Sequence, residues 1–316
     1  MEKRQLGNSD LMVYPIAFGG NVFGWTIDKK QSFGILDGFA GEGFNFIDTA
    51  DVYSTWKPGN QGGESETIVG EWMHSKKNRH HIILATKVGS DMGNGKKGLK
   101  KDYIIKAAED SLKRLKTDYI DLYQTHFDDE NTEVGETLEA YEQLIKEGKV
   151  RWIGASNMSV DRLKESLAYS AEHGLPAYQS FQPQYNIYDR EQFENGLEPV
   201  CLGNGLGVIT YYSLASGFLS GKYRSEADLS QSARGGSVAK YLDDRGFRIL
   251  EALDQVAAEF GTTPAAVALA WLIARPSVTA PIVSATKKQQ LQSIIEAPKL
   301  DLGATVVGQL TSISAW

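Results

Sequence analysis

The 316-residue chain is 41% hydrophobic and 23% charged, a balance that supports a large buried core and excludes a disordered chain. A formal charge of −7 with no compensating basic run excludes a nucleic-acid partner, and a lone cysteine, Cys201, excludes a disulfide framework or a thiolate metal cluster. His74, His80, His81, His126 and His173 show no metal-ligand spacing, and the neighbours His80 and His81 are read as opposite faces of one strand, so no metal site is expected. The N-terminus opens charged with no apolar segment behind it, and no apolar run reaches membrane-spanning length. A cytoplasmic protein with no membrane partner is the expectation.

In chain order, residues 3–6 and 11–14 flank the turn residues Gly7-Asn8-Ser9-Asp10, which predicts an N-terminal β-hairpin. The apolar run 15–18 ends in Gly19-Gly20-Asn21. Phe33, Leu36, Phe39 and Ala40 then share one helical face, closed by Gly41 and Gly43. Residues 44–47 read as a buried strand stopped by Asp48, with Tyr53 on the following loop. Residues 82–86 run into Lys87, and 119–125 run into His126. Between them Asp102 is expected to cap a helix whose apolar stripe is Ile105, Ala108, Leu112 and Leu115. Leu138, Tyr141 and Leu144 mark the next helix, ending at Gly148. Residues 150–155 form a strand that ends in Ser156-Asn157, and Ser159 opens a helix carrying Val160, Leu163 and Leu167. One further strand includes Gln179 and another covers 207–212. Residues 217–243 show no period, and segments of that kind inside a domain are commonly functional. Leu250, Leu253, Ala257 and Phe260 restore the helical pattern. A helix capped by Thr262 or Thr263, with Pro264 in its first turn, precedes a last strand at 278–283 and Ser284-Ala285-Thr286-Lys287-Lys288.

This alternation amounts to about eight strand–helix units, which predicts an α/β fold of the (β/α)8 TIM-barrel type, one domain over residues 1–316. A doubly wound fold would call for GxGxxG after its first strand, whereas the chain has Gly19-Gly20-Asn21-Val22-Phe23-Gly24. In a barrel the C-terminal strand ends share one face, so Asp48, Tyr53, Lys87 and His126 converge there. A phenol titrates near 10, and a neighbouring ammonium favours phenolate and makes Tyr53 a better acid. Asp48 holds Lys87 charged and oriented, and His126 donates to a carbonyl oxygen. Such a site protonates a developing alkoxide and needs a hydride donor on the other side of the carbonyl carbon. Trp25, Trp56 and Phe127, just past strand ends, are candidate pocket walls.

Taken together, the stretch from Gly43 to Tyr53, Thr86-Lys87, Gln124-Thr125-His126, Gly154-Ala155-Ser156-Asn157 and the stretch from Leu214 to Lys222 resemble the aldo-keto reductase superfamily over nearly the full chain. The resemblance implies hydride transfer between a nicotinamide cofactor and a carbonyl or alcohol, with Asp48, Tyr53, Lys87 and His126 as catalytic tetrad and Tyr53 as general acid in reduction. It implies carboxamide contacts from Ser156, Asn157 and Gln179, stacking by Tyr211, and cofactor contacts from Gly20 and Asn21. It also implies a pyrophosphate loop with Ser213, Leu214, Gly217, Leu219, Gly221 and Lys222, joined by Arg234, and an adenosine end at Ser284, Thr286, Lys287 and Gln290. Relatives often carry an arginine and a Glu-Asn pair at that end, where this chain has Lys287-Lys288 and Ser293-Ile294. NADPH is the preferred cofactor and NADH the alternative. The expected partner is a small carbonyl or sugar-derived substrate, the other readings being an oxidative sugar or polyol dehydrogenase and a cofactor-binding regulatory subunit.

Overall fold

Eight short apolar segments pair in parallel and close on themselves in a computed structural model that describes residues 2–93, 95–232 and 235–316. The barrel strands are β3 (Ala17–Gly19), β4 (Phe46–Asp48), β5 (Ile83–Val88), β6 (Ile120–Thr125), β7 (Val150–Ser156), β8 (Ser180–Gln182), β9 (Gly207–Thr210) and β10 (Val278–Val283), with β10 pairing back to β3. Helices α1 (Lys29–Gly41), α2 (Glu64–Lys76), α3 (Lys101–Leu115), α4 (Val134–Lys146), α5 (Val160–His173), α6 (Glu198–Gly203), α7 (Asp244–Phe260), α8 (Pro264–Ile273), α9 (Lys288–Glu296) and α10 (Gly303–Ile313) surround it. The predicted barrel is observed. Its strands are buried on both faces, so inward and outward residues alternate within apolar runs. Ala17, Phe46, Ala85, Leu122, Ile209 and Ala280 fill the interior. Phe18, Ile47, Leu84, Tyr123, Ile153 and Val208 face the helix layer instead.

The N-terminal hairpin, β1 (Arg4–Gln5) with β2 (Met12–Val13), covers the end of the barrel where the strands begin. Leu6, Leu11 and Val13 join the interior cluster, and Arg4 donates to the carbonyl of Val278 at 2.9 Å. Gly7 has φ +60, and a Cβ there would lie 1.9 Å from the Gln179 carbonyl oxygen, so the turn accepts only glycine. Register then sets the opposite rim: Gly19 pairs with Asp48, Asp48 with Ala85, Lys87 with Gln124, and Ser156 with Gln182. Each is at or near the end of its strand.

Three local expectations are corrected. Asp102 lies inside the first turn of α3 and Lys100 is the N-cap, because Glu136 reaches across from α4 to accept the Lys101 N–H at 3.0 Å. Ile104 rather than Ile105 is the fully buried isoleucine of that helix. His80 and His81 sit in a single turn, Arg79–His81, with rings 3.9 Å apart, because β5 begins only at Ile83. The described residues of the stretch 217–243, which lacks a period, 217–232 and 235–243, fold as short 3-10 turns with buried aromatics among them, Phe218 stacked on Tyr241 at 5.4 Å. Arg234 falls outside the described residues. Among the described residues no single helix is long and apolar enough to cross a membrane; α7 and α8 reach that length only together, across a 95° bend.

Candidate active site

Asp48 ends β4 and points inward, because Phe46 two residues earlier is an interior residue. Lys87 and Gln124 reach the same interior position from β5 and β6, as their pairing register requires. Lys87 is fully buried and all three of its N–H groups are taken: Asp48 Oδ1 at 2.5 Å, the Thr49 carbonyl at 2.8 Å and the Tyr53 hydroxyl oxygen at 2.8 Å. The second carboxylate oxygen of Asp48 accepts from Gln124 Nε2 and Gln182 Nε2, each at 3.0 Å. The buried acid is therefore satisfied on both sides. Burial works against the charge on Lys87, but Asp48 and Tyr53 outweigh it and its pKa lies above the ordinary lysine value.

Tyr53 accepts from Lys87 at 2.8 Å. Burial pushes its pKa up to about 12 while Lys87 pulls the other way. This corrects the expectation of a net lowering: the ammonium acts as anticipated, and desolvation of the phenolate exceeds it. His126 follows β6, its ring 5.8 Å from that of Tyr53 and its Nδ1 3.2 Å from the Ser90 hydroxyl. Burial and the nearby Lys87 hold its pKa well below the usual imidazole value, so it is neutral. Trp56 lies 6.0 Å from Tyr53 and 5.5 Å from Trp25, and Phe127 packs beside His126; Trp56 and Phe127 are exposed at this rim.

A polar strip continues round the rim. Ser156 donates to the Gln182 carbonyl, Asn157 to the His126 carbonyl at 2.9 Å, and the Tyr211 hydroxyl to Asn157 Oδ1 at 2.8 Å. Asn157 is left-handed, φ +46, which turns its amide back over the strand end. Gln179 does not belong here. It precedes β8 at the hairpin end, its amide donating to the Ala177 carbonyl and its own carbonyl bonded by Gly207. The glutamine at the rim is Gln182, one three-residue strand farther on. Period-2 alternation from Ser180 was the signal that could have found it. Gln124, Thr49 and Ser90 were likewise given no role from sequence.

Past β9, Ala215, Ser216 and Gly217 are successive left-handed residues, φ +48, +58 and +100, in a tight turn. The exposed Lys222 lies near it, and a Cβ on Gly217 would be 3.5 Å from its Nζ. Leu214 accepts from the N–H groups of Gly217 and Leu219. The Leu219 side chain is fully buried and the Ser213 hydroxyl donates to the Thr210 carbonyl, so both act as supports of the loop. Gly221 ends the turn at φ +77. Across the rim the Ser284 hydroxyl, with one proton to donate, lies 2.7 Å from the Gly19 carbonyl and 2.8 Å from Asn21 Oδ1, while Gly20 is closed in by Ser65, 2.7 Å from where its Cβ would be. Gln290 Oε1 accepts from Thr286 and from the Lys287 N–H, folding the start of α9, with Lys287 and Lys288 exposed.

Fold and rim together define an α/β barrel protein with a buried acid–amine–phenol cluster at the C-terminal ends of its strands. The model of the aldo/keto reductase family matches residues 15–315. An uncharacterized oxidoreductase of Bacillus subtilis, YrpG, is 34% identical over 99% of this chain and 96% of its own length. A probable voltage-gated potassium channel subunit beta of Arabidopsis thaliana is 32% identical over 94% and 91%, and the aldo-keto reductase YhdN of Bacillus subtilis is 32% identical over 89% and 82%. The chain belongs to the aldo/keto reductase family, a family of oxidoreductases.

Proposed function

We propose that the chain is a cytoplasmic reductase of aldehydes and ketones that draws hydride from a nicotinamide dinucleotide, NADPH in preference to NADH, with Tyr53 as proton donor. The observation that carries this reading is the Tyr53 hydroxyl held 2.8 Å from a fully committed Lys87. When bound, the dinucleotide supplies the hydride to the carbonyl carbon. Tyr53 gives its proton to the carbonyl oxygen as negative charge grows there, and the Lys87 N–H already pointing at the phenolic oxygen stabilises the phenolate left behind. Asp48 keeps Lys87 charged, and Gln124 and Gln182 hold Asp48 in place through its other oxygen. Neutral His126 donates a second hydrogen bond to the carbonyl oxygen and orients it.

Ser156, Asn157 and Gln182 would hold the carboxamide and Tyr211 the ring. Gly217, Gly221 and Lys222 would hold the pyrophosphate, and Ser284, Thr286, Lys287 and Gln290 the adenosine end, with Asn21 beside them. Replacing Tyr53 by phenylalanine should reduce kcat for carbonyl reduction by about 10²–10⁴-fold and leave dinucleotide affinity within about threefold. Likeness to a probable channel beta subunit favours one competing reading, a cofactor-binding regulator. A wild-type protein no faster than Tyr53→Phe on a panel of carbonyls would select it.

A further inference from the structure

The turn after β9 is strained, and one carboxylate braces it from both sides. Tyr212, Ala215 and Ser216 are non-glycine residues with φ +51, +48 and +58, all in the left-handed region. Such residues persist only where their surroundings over-determine them. The Tyr212 carbonyl accepts from the Ala215 N–H at 2.7 Å, which starts the turn, and from Asn186 Nδ2 at 3.0 Å, which reaches it from outside. Asn186 is fully buried, and its Oδ1 accepts the N–H groups of Tyr188 and Asp189, each at 2.8 Å. Its Nδ2 also donates to Asp189 Oδ2 at 2.9 Å, so every hydrogen-bonding position of the amide is taken. The same carboxylate oxygen accepts from Gln184 Nε2 at 2.9 Å and from the Tyr241 hydroxyl at 2.7 Å. The buried Tyr241 ring lies stacked on Phe218, centroids 5.4 Å apart and planes at 17°. Phe218 is in the far half of the turn, next to Gly217. A circuit therefore closes, from Tyr212 through Asn186, Asp189 and Tyr241 back to Phe218.

We infer that Asp189 is a positioning residue for the dinucleotide: it holds the turn 212–221 rigid, so that Tyr211 and Lys222 stand at a fixed separation before the cofactor arrives. Both of these residues flank the circuit. The Tyr211 N–H donates to the Pro183 carbonyl at 2.9 Å and its carbonyl accepts from the Tyr185 N–H at 3.3 Å, which ties it to the segment that carries Asn186. Lys222 follows Gly221, whose N–H donates to the Phe218 carbonyl at 3.0 Å. Order present before binding need not be created by it, and affinity rises accordingly. The rigidity follows from the hydrogen bonds and the ring stack; its consequence for the cofactor rests on the reductase reading above. Tyr188 provides a neighbour for comparison. Its ring packs edge-on against Tyr241 at 4.9 Å, but its hydroxyl donates to Asp243 at 2.7 Å, outside the circuit.

Tyr241→Phe opens the circuit by one hydroxyl and keeps the ring on Phe218, whereas Tyr188→Phe loses a comparable hydroxyl beside it. In the full chain without cofactor, native-state hydrogen exchange should quicken about tenfold at the Gly217 and Leu219 amides in Tyr241→Phe and less than about twofold in Tyr188→Phe. Both amides donate to the Leu214 carbonyl within the turn. Fluorescence titration with NADPH, well below the Tm of each variant, should show Kd raised about five- to tenfold in Tyr241→Phe and unchanged within about twofold in Tyr188→Phe. For Tyr241→Phe, kcat at saturating NADPH and KM for the carbonyl should stay within about twofold of wild type. Asp189→Ala should show the same pattern with a larger change in Kd; if it does not fold, Tyr241→Phe carries the test. Exchange rates in Tyr241→Phe equal to those of wild type overturn the hold on the turn. Faster exchange with an unchanged Kd overturns the positioning role, and so does a loss of affinity in Tyr188→Phe as large as in Tyr241→Phe. A wild-type chain that binds neither NADPH nor NADH removes the dinucleotide reading and the positioning role with it, and the exchange rates still decide whether Asp189 holds the turn.

Discussion

Lys87 has three N–H groups and three acceptors, which determines what its removal does. Lys87→Met removes the cation from a buried pair and leaves Asp48 in the barrel with only two amides for company, so unfolding in urea should show a loss of about 3–5 kcal/mol. A variant as stable as the wild type would mean that the buried pair contributes little to stability. His126 gives a pH prediction of definite sign. Its folded pKa is depressed, so between the unfolded value of about 6.5 and the lower folded one the unfolded chain binds the extra proton, and stability falls as pH drops through that window. His126→Gln should flatten that slope in a Tm series from pH 7 to 5. At this scale the tetrad was legible because each member ends or follows an apolar run, which is visible in one dimension. Gln182 was not, since β8 is only three residues long and the period-2 reading that separates Gln182 from Gln179 needs the strand's start, which composition does not mark. The high pKa of Tyr53 was also hidden, because burial is a property of the assembled rim.

Among the elements, the hairpin and the loop after β9 do opposite work at opposite ends of the barrel. Leu6 is fully buried in the interior cluster on the floor, far from the rim by register. Leu6→Ala should cost about 2–5 kcal/mol of stability while KM values for cofactor and carbonyl stay unchanged. A shifted KM would show that the floor is coupled to the site. Gly217→Ala tests the other end. At φ +100 an alanine is strained, and the variant should lose about 1–2 kcal/mol together with dinucleotide affinity, measured by fluorescence titration. Strands and helices were legible as elements because their periods and caps are local: Ser159 and Thr263 cap as expected, and β10 runs over the predicted residues. The turns between 217 and 243 were not legible, since Phe218 and Tyr241 are brought together only by tertiary packing.

Over the whole molecule the charge balance is unfavourable to the proposed cofactor. A chain of formal charge −7 repels a dinucleotide at a distance, so capture must depend on a few cations placed at the rim and not on the overall field. Lys222 serves the loop after β9, and Lys287 and Lys288 stand exposed at the start of α9, where the helix dipole adds to their charge. A 2′-phosphate is a doubly charged group that NADPH has and NADH lacks, and these two lysines are the cations proposed for it. Each offers a point charge without the bidentate fork of an arginine, so the selectivity they confer is modest and easily screened. Replacing both by glutamine should raise the KM for NADPH about tenfold and that for NADH less than about twofold, as expected for the loss of one or two charge-assisted contacts. Raising the salt concentration should likewise shrink the wild-type advantage for NADPH while sparing NADH. Equal losses for the two cofactors would move phosphate recognition away from α9 and leave the preference for NADPH without a physical basis.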